Sequence, residues 1–98
     1  MIKKIFCIIL WLFLAGCQRD IDKILKIYHV FDQANTFYRE NNYDSAITKY
    51  EEILNSGYEA GNLYYNLGNC YFKKGQLADA VLNYERARFL NPLDSDIS

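Results

Sequence analysis

The chain has 98 residues, a net charge of −1 and 51% hydrophobic residues. This length holds one small domain, which buries only about 60 to 65% of the surface of its unfolded chain and therefore has a narrow stability margin. Because Lys and Arg form no cluster on one predicted face, the composition argues against nucleic acid as the partner.

The first 16 residues have the order of features found in a secretory signal peptide. Lys3 and Lys4 precede an apolar run over residues 5–14, and two small residues follow it. This run is shorter than the roughly 20 residues that a membrane-spanning helix needs, so a retained membrane helix is the weaker alternative. We therefore predict that residues 1–16 are removed and that the mature chain starts at Cys17.

The residues around the predicted cleavage point, Leu14-Ala15-Gly16-Cys17, resemble the lipobox of bacterial lipoproteins. The resemblance implies that the Cys17 thiol is acylated through a thioether. It also implies a lipoprotein of the bacterial cell envelope that faces the periplasm. Gln18 is not the Asp that retains some lipoproteins at the inner membrane, so both membranes stay open. The alternative is a cleaved, soluble secreted protein.

Helical periodicity without a strand pattern predicts an all-α fold for the mature chain. After the segment over residues 17–26 that carries the predicted lipid, we expect a helix that begins near Asp20 and ends near Glu40. The Asn pair at 41–42 makes a turn, and Asp44 caps the next helix. The other predicted helices span residues 44–54, 60–73 and 77–89, and residues 95–98 form the start of a truncated further helix.

A period of 34 residues relates the two halves of this helical region. Small residues and aromatics recur in one register, and this resembles stacked helix-turn-helix units of tetratricopeptide type. We therefore predict an α-solenoid of two units, over residues 27–60 and 61–94, with an N-terminal helical extension. The matched pairs are Ala34 and Gly68, Phe37 and Tyr71, Tyr43 and Leu77, Ala46 and Ala80, Tyr50 and Tyr84, and Ile53 and Ala87.

The second unit ends without the polar capping helix that such arrays generally have. We expect the uncapped C-terminal face to consist of Tyr84, Ala87 and Leu90. A partner or a second copy of the chain covers this face, or the chain is a fragment of a longer protein.

The first helix of each unit is expected to line the inner, concave side of the stack. Its exposed residues alternate aromatic rings with amides and carry two cations, which suits an extended or helical peptide. About half of the aromatic rings are expected to pack between units and to expose only an edge. The expected partner-binding residues are Tyr28, Phe31, Asp32, Asn35, Tyr38 and Arg39 in the first unit, and Asn62, Tyr65, Asn66, Asn69, Phe72 and Lys73 in the second.

Asn35 and Asn66 stand where the carboxylate-clamp subgroup of this repeat family holds asparagines that grip a peptide's C-terminal carboxylate. That subgroup also has a Lys at the position of Phe31 and further cations from a third unit. The chain departs from that pattern, so we interpret both asparagines as general peptide-binding groups.

The sequence contains no spacing of residues typical of a catalytic, metal or cofactor site. Its single histidine, His29, has no second His, Cys or Asp placed to form a metal site or a catalytic pair with it. Cys70 follows the small residue Gly68, and we interpret it as a buried, inert thiol, with a redox-sensing or intermolecular cysteine as the alternative. We therefore expect a non-enzymatic protein without a cofactor.

The pattern over residues 30–97 resembles the BatE type of bacterial aerotolerance-operon proteins. The resemblance implies an envelope complex with von Willebrand A-type membrane proteins that is linked to oxidative stress tolerance. Two alternatives stay open, namely a pilotin-like or outer-membrane assembly lipoprotein and a self-associating fragment. The segments that carry the resemblance are Gln33-Ala-Asn35, Tyr43-Asp44-Ser-Ala-Ile47, Glu52-Ile-Leu-Asn-Ser-Gly57-Tyr58-Glu59, Asn62-Leu-Tyr-Tyr-Asn-Leu-Gly-Asn69, Leu82-Asn-Tyr-Glu-Arg-Ala87 and Asp94-Ser-Asp-Ile97.

Replacement of the predicted lipidated cysteine tests the anchor. We expect Cys17→Ser to leave the protein unprocessed or to release it into the soluble fraction, because no thioether can form on a hydroxyl. Fractionation of cells into membrane and soluble proteins measures this. Unchanged partitioning and unchanged processing of the variant would refute lipidation.

Overall fold

Four α-helices account for most of residues 2–91, which are the residues that the computed structural model describes. They are α1 (Ile2–Arg39), α2 (Tyr43–Asn55), α3 (Gly61–Lys73) and α4 (Leu77–Leu90). This part of the chain has no strand, so the all-α prediction is confirmed. The further helix that we predicted at residues 95–98 lies outside the described residues.

Helix α1 begins at Ile2, so the predicted start near Asp20 is wrong. No proline interrupts the helix, and a single interior glycine costs only about 1 kcal/mol of helix stability. The large apolar side chains between Ile5 and Phe13 are exposed. Contact with the core begins at Ile27, so the first two-thirds of α1 contribute little to the packing of the domain.

Among residues 2–91, no helix has both the length and the apolar character that crossing a membrane requires.

Helices α1 and α2 form one hairpin, α3 and α4 form a second, and α2 packs against α3. Every third or fourth residue of α2 is apolar, which gives this helix one buried face. The apolar residues of α1 and α3 meet that face and close the core. The core consists of Val30, Ala34, Ala46, Ile47, Tyr50, Ile53, Leu63, Leu67 and Cys70.

The turns within the two hairpins have the same backbone geometry at positions 34 residues apart. Asn41 has a φ of 63° and Gly75 has a φ of 77°, both in the left-handed region that ends a helix. In each turn the N–H of the next residue donates to the carbonyl oxygen five residues earlier, over 2.9 Å. The predicted turn at residues 41–42 is therefore confirmed.

The cap of α2 is Asn42 rather than the predicted Asp44. The helix begins at Tyr43, so the asparagine stands just before it and its side-chain oxygen accepts the Ser45 N–H at 3.4 Å. Asp44 lies inside the first turn, where its carboxylate forms an ion pair with Lys74 at the end of α3. The carboxylate therefore links the two hairpins.

Close helix contact in the second hairpin occurs at Gly68. A methyl group at this position would lie 2.6 Å from the Cδ1 and Cε1 atoms of Tyr84 on α4. The equivalent residues of the first hairpin, Ala34 and Tyr50, are both buried. The small residues are therefore the places where an aromatic ring of the second helix crosses the first.

The face of α4 that is left uncovered differs from the prediction. Ala87 is buried, and Tyr84 and Leu90 are partly buried, because these residues turn towards α3. Four other apolar side chains of α4 are exposed instead. They are Leu77, Val81, Leu82 and Phe89.

Substitution of the contact glycine tests this packing. We expect Gly68→Ala to lower the free energy of unfolding by about 1 to 2 kcal/mol, because the Tyr84 ring must move away. Helix propensity alone would instead raise it by about 1 kcal/mol. Urea unfolding of the chain without residues 1–17, followed by circular dichroism, measures the difference.

The reciprocal variant Ala34→Gly is the matched control for this prediction. It removes a methyl group from a buried site, so we expect it to be destabilising as well, by about 1 kcal/mol. A Gly68→Ala protein as stable as the unchanged chain would contradict the packing argument.

Candidate functional site

The inner sides of α1 and α3 form one continuous groove, whose floor is supplied by α2. Residues of α1 at helical spacing, from Tyr28 to Arg39, face residues of α3 from Asn62 to Asn69. We call this surface the inner groove. It contains two cavities, a polar one and an apolar one.

The polar cavity has a volume of about 170 Å³ and contains most of the amides that we predicted to bind a partner. Arg39 is its only cationic lining residue, and no carboxylate lines it. Such a cavity can accept peptide carbonyl groups or an acidic side chain. Its lining residues are Asn35, Tyr38, Arg39, Tyr50, Asn66 and Asn69.

The apolar cavity lies next to it, towards the start of the core-packing part of α1, and has a volume of about 150 Å³. Three of the predicted residues, Tyr28, Phe31 and Asn62, line it. Its other lining residues are Ile27, Ile53, Tyr58 and Leu63. A cavity of this size and composition can hold one apolar side chain of a bound segment.

Hydrogen bonds between a tyrosine and an asparagine hold the amides of the groove in place. The Tyr84 hydroxyl donates to Asn69 Oδ1 over 2.6 Å, and Tyr50 makes the same bond to Asn35. These pairs lie 34 residues apart, so both hairpins contain the same device. Because each bond occupies the carbonyl oxygen, the NH₂ group of each asparagine remains a donor for a ligand.

Asn35 and Asn69 line the polar cavity, although both are less exposed than the sequence predicts. Each asparagine is partly buried and accepts a hydrogen bond from a tyrosine of the neighbouring helix. Sequence reasoning also missed Tyr50 as a lining residue. Its match with Tyr84 at the 34-residue period was a signal that could have identified it.

Burial raises the pKa of the Tyr50 hydroxyl to about 12. The hydroxyl therefore remains protonated at neutral pH and continues to donate its hydrogen bond to Asn35. The amide of Asn35 is thus held in one orientation throughout the physiological pH range.

The predicted aromatic residues divide into packed and exposed sets. Phe31 lies edge-on to Tyr50 with ring centroids 5.7 Å apart, and Tyr38 likewise contacts Tyr43. The rings of Tyr28, Tyr65 and Phe72 are more than half exposed. Two of the five predicted aromatic residues therefore pack on the core, and three offer contact area to a partner.

Four of the predicted residues lie apart from both cavities, namely Asp32 on α1 and three residues of α3. Tyr65, Phe72 and Lys73 lie on α3 but line neither the polar nor the apolar cavity. The Tyr65 ring instead packs beside Tyr84, with ring centroids 5.6 Å apart. The structure thus groups eight of the twelve predicted residues around two neighbouring cavities.

Cys70 is fully buried in the core, as predicted. Burial raises the pKa of its thiol from 9.0 to about 11, so almost no reactive thiolate exists at neutral pH. His29 is exposed. Within residues 2–91, no group of three or more His, Cys, Asp or Glu side chains is placed to hold a metal ion.

A family model described as Tetratricopeptide repeat matches residues 31–95, which is well over half of the sequence and includes both cavities except for Ile27 and Tyr28. No curated protein matches the chain.

The raised pKa of Cys70 predicts how stability depends on pH. In the unfolded chain the thiol ionises near pH 9.0, whereas in the folded protein it stays protonated up to about pH 11. Its contribution to stability is therefore complete below pH 9 and is lost as the pH rises towards 11. We expect urea unfolding to show a larger loss of stability between pH 8 and pH 10 for the unchanged chain than for Cys70→Ala. Equal losses of stability in the two proteins would contradict the raised pKa of the Cys70 thiol.

Proposed function

This chain belongs to the tetratricopeptide repeat family, and from that premise we propose that it is a non-enzymatic scaffold that holds a segment of a partner protein in the inner groove. Members of this family are generally protein-interaction modules. The observation that carries the proposal is the pair of neighbouring cavities, one polar and one apolar, between α1 and α3.

The spacing of the cavities sets the length of the bound segment. Ten residues of α1 separate Tyr28 from Tyr38, which corresponds to about 15 Å along the helix. An extended segment of about five residues covers that distance. An apolar side chain would fill the cavity at Phe31, while backbone carbonyls or an acidic side chain would meet Arg39 and Asn66.

The proposal includes a lipid anchor at Cys17 that holds the scaffold at a membrane of the cell envelope, on the periplasmic side. Two observations support it. The sequence up to Cys17 resembles a lipoprotein signal, and the apolar side chains between Ile5 and Phe13 do not pack on the domain. Removal of that segment would leave the core and the inner groove intact.

In its most specific form, the proposal assigns the scaffold to a Bat-type aerotolerance complex. The support is the resemblance of residues 30–97 to the BatE type, in which the partners are von Willebrand A-type membrane proteins. In this arrangement the inner groove receives an exposed segment of such a partner at the same membrane.

A double variant of the polar cavity tests the groove. We expect Arg39→Ala with Asn66→Ala to weaken partner binding about 30-fold, because each lost group contributes about 1 kcal/mol. The measurement is a cross-linking pull-down from membranes with the tagged full-length protein. The matched control is Thr48→Ala with Asn55→Ala, since both residues are exposed on the outer side of α2.

The identity of the recovered protein separates the levels of the proposal. Recovery of von Willebrand A-type proteins, lost only in the cavity variant, supports the Bat-type assignment. Recovery of secretin or outer-membrane subunits, again lost only in the cavity variant, would support the inner groove as the binding site. It would replace the Bat-type assignment with that of an assembly lipoprotein. If the cavity variant recovers the same proteins in the same amounts, the proposal that the inner groove binds the partner is wrong.

A further inference from the structure

The outer face of α4 is largely apolar, with the exposed Glu85 between Val81 and Phe89, although no other part of the described chain covers it. Phe89 is 84% exposed and Val81 is 58% exposed, and Leu77 and Leu82 are also exposed. The opposite face of α4 packs on α3 through Ala80, Asn83 and Ala87. Helix α4 is therefore apolar on two sides, unlike a helix that has one face in the core and one in water.

The equivalent helix of the first hairpin shows what an ordinary outer face is in this protein. Three positions of α2 that face outwards are polar and exposed, whereas the α4 residues 34 positions later are apolar. The pairs are Asp44 and Ala78, Thr48 and Leu82, and Asn55 and Phe89. Because the two hairpins share one architecture, the difference marks α4 as a surface that contacts another molecule.

A neighbouring position shows that such contact occurs in this fold. Ile47 of α2 is buried in the core cluster that includes Leu63 and Leu67 of α3. Its equivalent, Val81, is exposed and faces no such helix within residues 2–91. In the first hairpin, a helix covers the position equivalent to Val81. The outer face of α4 includes Val81 and extends to the apolar residues Leu82 and Phe89.

Head-to-tail stacking of copies does not fit this face. Stacking would place α1 of one copy on α4 of the next, as α3 lies on α2. The α3 residues that enter the core are Leu63, Leu67 and Cys70, and the α1 residues 34 positions earlier are His29, Gln33 and Thr36. Polar side chains would then meet an apolar face without partners.

The charges on α4 favour a second α4 in the opposite direction. Asp79 lies near the start of the helix, whereas Arg86 and Arg88 lie near its end. Asp79 and Arg86 are on the same flank of α4, since seven residues are close to two helical turns, and the Arg86 guanidinium there lies 5.9 Å from the centroid of the Tyr64 ring on α3. Two antiparallel copies therefore bring each Asp79 opposite the other Arg86, and their helix dipoles also oppose each other.

The charge balance also argues against a lipid surface as the occupant. Helix α4 carries two acidic and two basic residues, and Glu85 already pairs with Arg88 at 3.0 Å. Helices that lie on anionic membranes carry an excess of Lys and Arg beside their apolar face. Equal numbers of both signs on α4 give no such excess.

We propose that two copies of this chain associate through the outer faces of α4, packed antiparallel about a two-fold axis beside Leu82. In this register the Phe89 ring of one copy lies beside Leu77 of the other. The contact leaves the inner groove open in both copies, because the groove lies on the α1 and α3 side.

Site-specific photo-cross-linking in membranes tests the dimer with the full-length chain. Benzoylphenylalanine at position 82 lies beside the two-fold axis, so we expect irradiation to give a product of twice the chain mass. The same amino acid at Thr48, the matched position on α2, should give none. Cross-links from position 82 to lipid, or only to a different protein, would overturn the proposal, as would an equal dimer yield from both positions.

A second set of variants tests the face and its direction. One variant gives α4 the outer residues of α2 by combining Ala78→Asp, Leu82→Thr and Phe89→Asn. We expect this triple variant to reduce the yield of cross-linked dimer at least tenfold. All three positions are exposed, so circular dichroism should show unchanged helicity. Asp79→Arg should also weaken the dimer, and Asp79→Arg with Arg86→Asp should restore it. Failure of the second change to restore the dimer would overturn the antiparallel register.

Discussion

The second hairpin depends on Tyr84 of its second helix, which lies across the small residue Gly68 of its first. In the second hairpin the Tyr84 ring occupies the space that any side chain at Gly68 would need. Tyr50 lies at the equivalent position and is almost completely buried. Since the helices can approach only where a small residue and a ring meet, these contacts set the distance and register of the hairpins and thereby the position of every residue in the groove.

The same tyrosines link the stability of the fold to the chemistry of the inner groove. Their hydroxyl groups end at Asn35 and Asn69, so amides that could contact a ligand are oriented by core residues. A site built on helices with such support loses little conformational entropy when it binds a segment. Cys70 lies in the same core, where burial raises the pKa of its thiol, so this sulfur atom serves packing rather than redox chemistry.

The two hairpins have the same interior but different exteriors, and the difference has a functional meaning. Helix α2 is polar outside, whereas α4 exposes Leu82 and Phe89. The inner groove and the outer face of α4 lie on different sides of the hairpins, so one molecule can hold a partner segment while it contacts a second copy. Association of two copies would present two grooves at one membrane and raise the effective concentration of both for a dimeric partner.

The sequence by itself determined the all-α class, the 34-residue period, the turn at residues 41–42 and the burial of Cys70, because these follow from local spacing and residue size. It predicted the wrong cap for α2, since Asn42 and Asp44 are both good caps and only the packed helix decides which precedes its first turn. Tertiary structure alone decided that Asn35 serves a core tyrosine, and that Val81 and Phe89 rather than Ala87 face outwards. A helix with apolar residues all round has no preferred orientation until its neighbours select one, and that selection is a property of the packed structure.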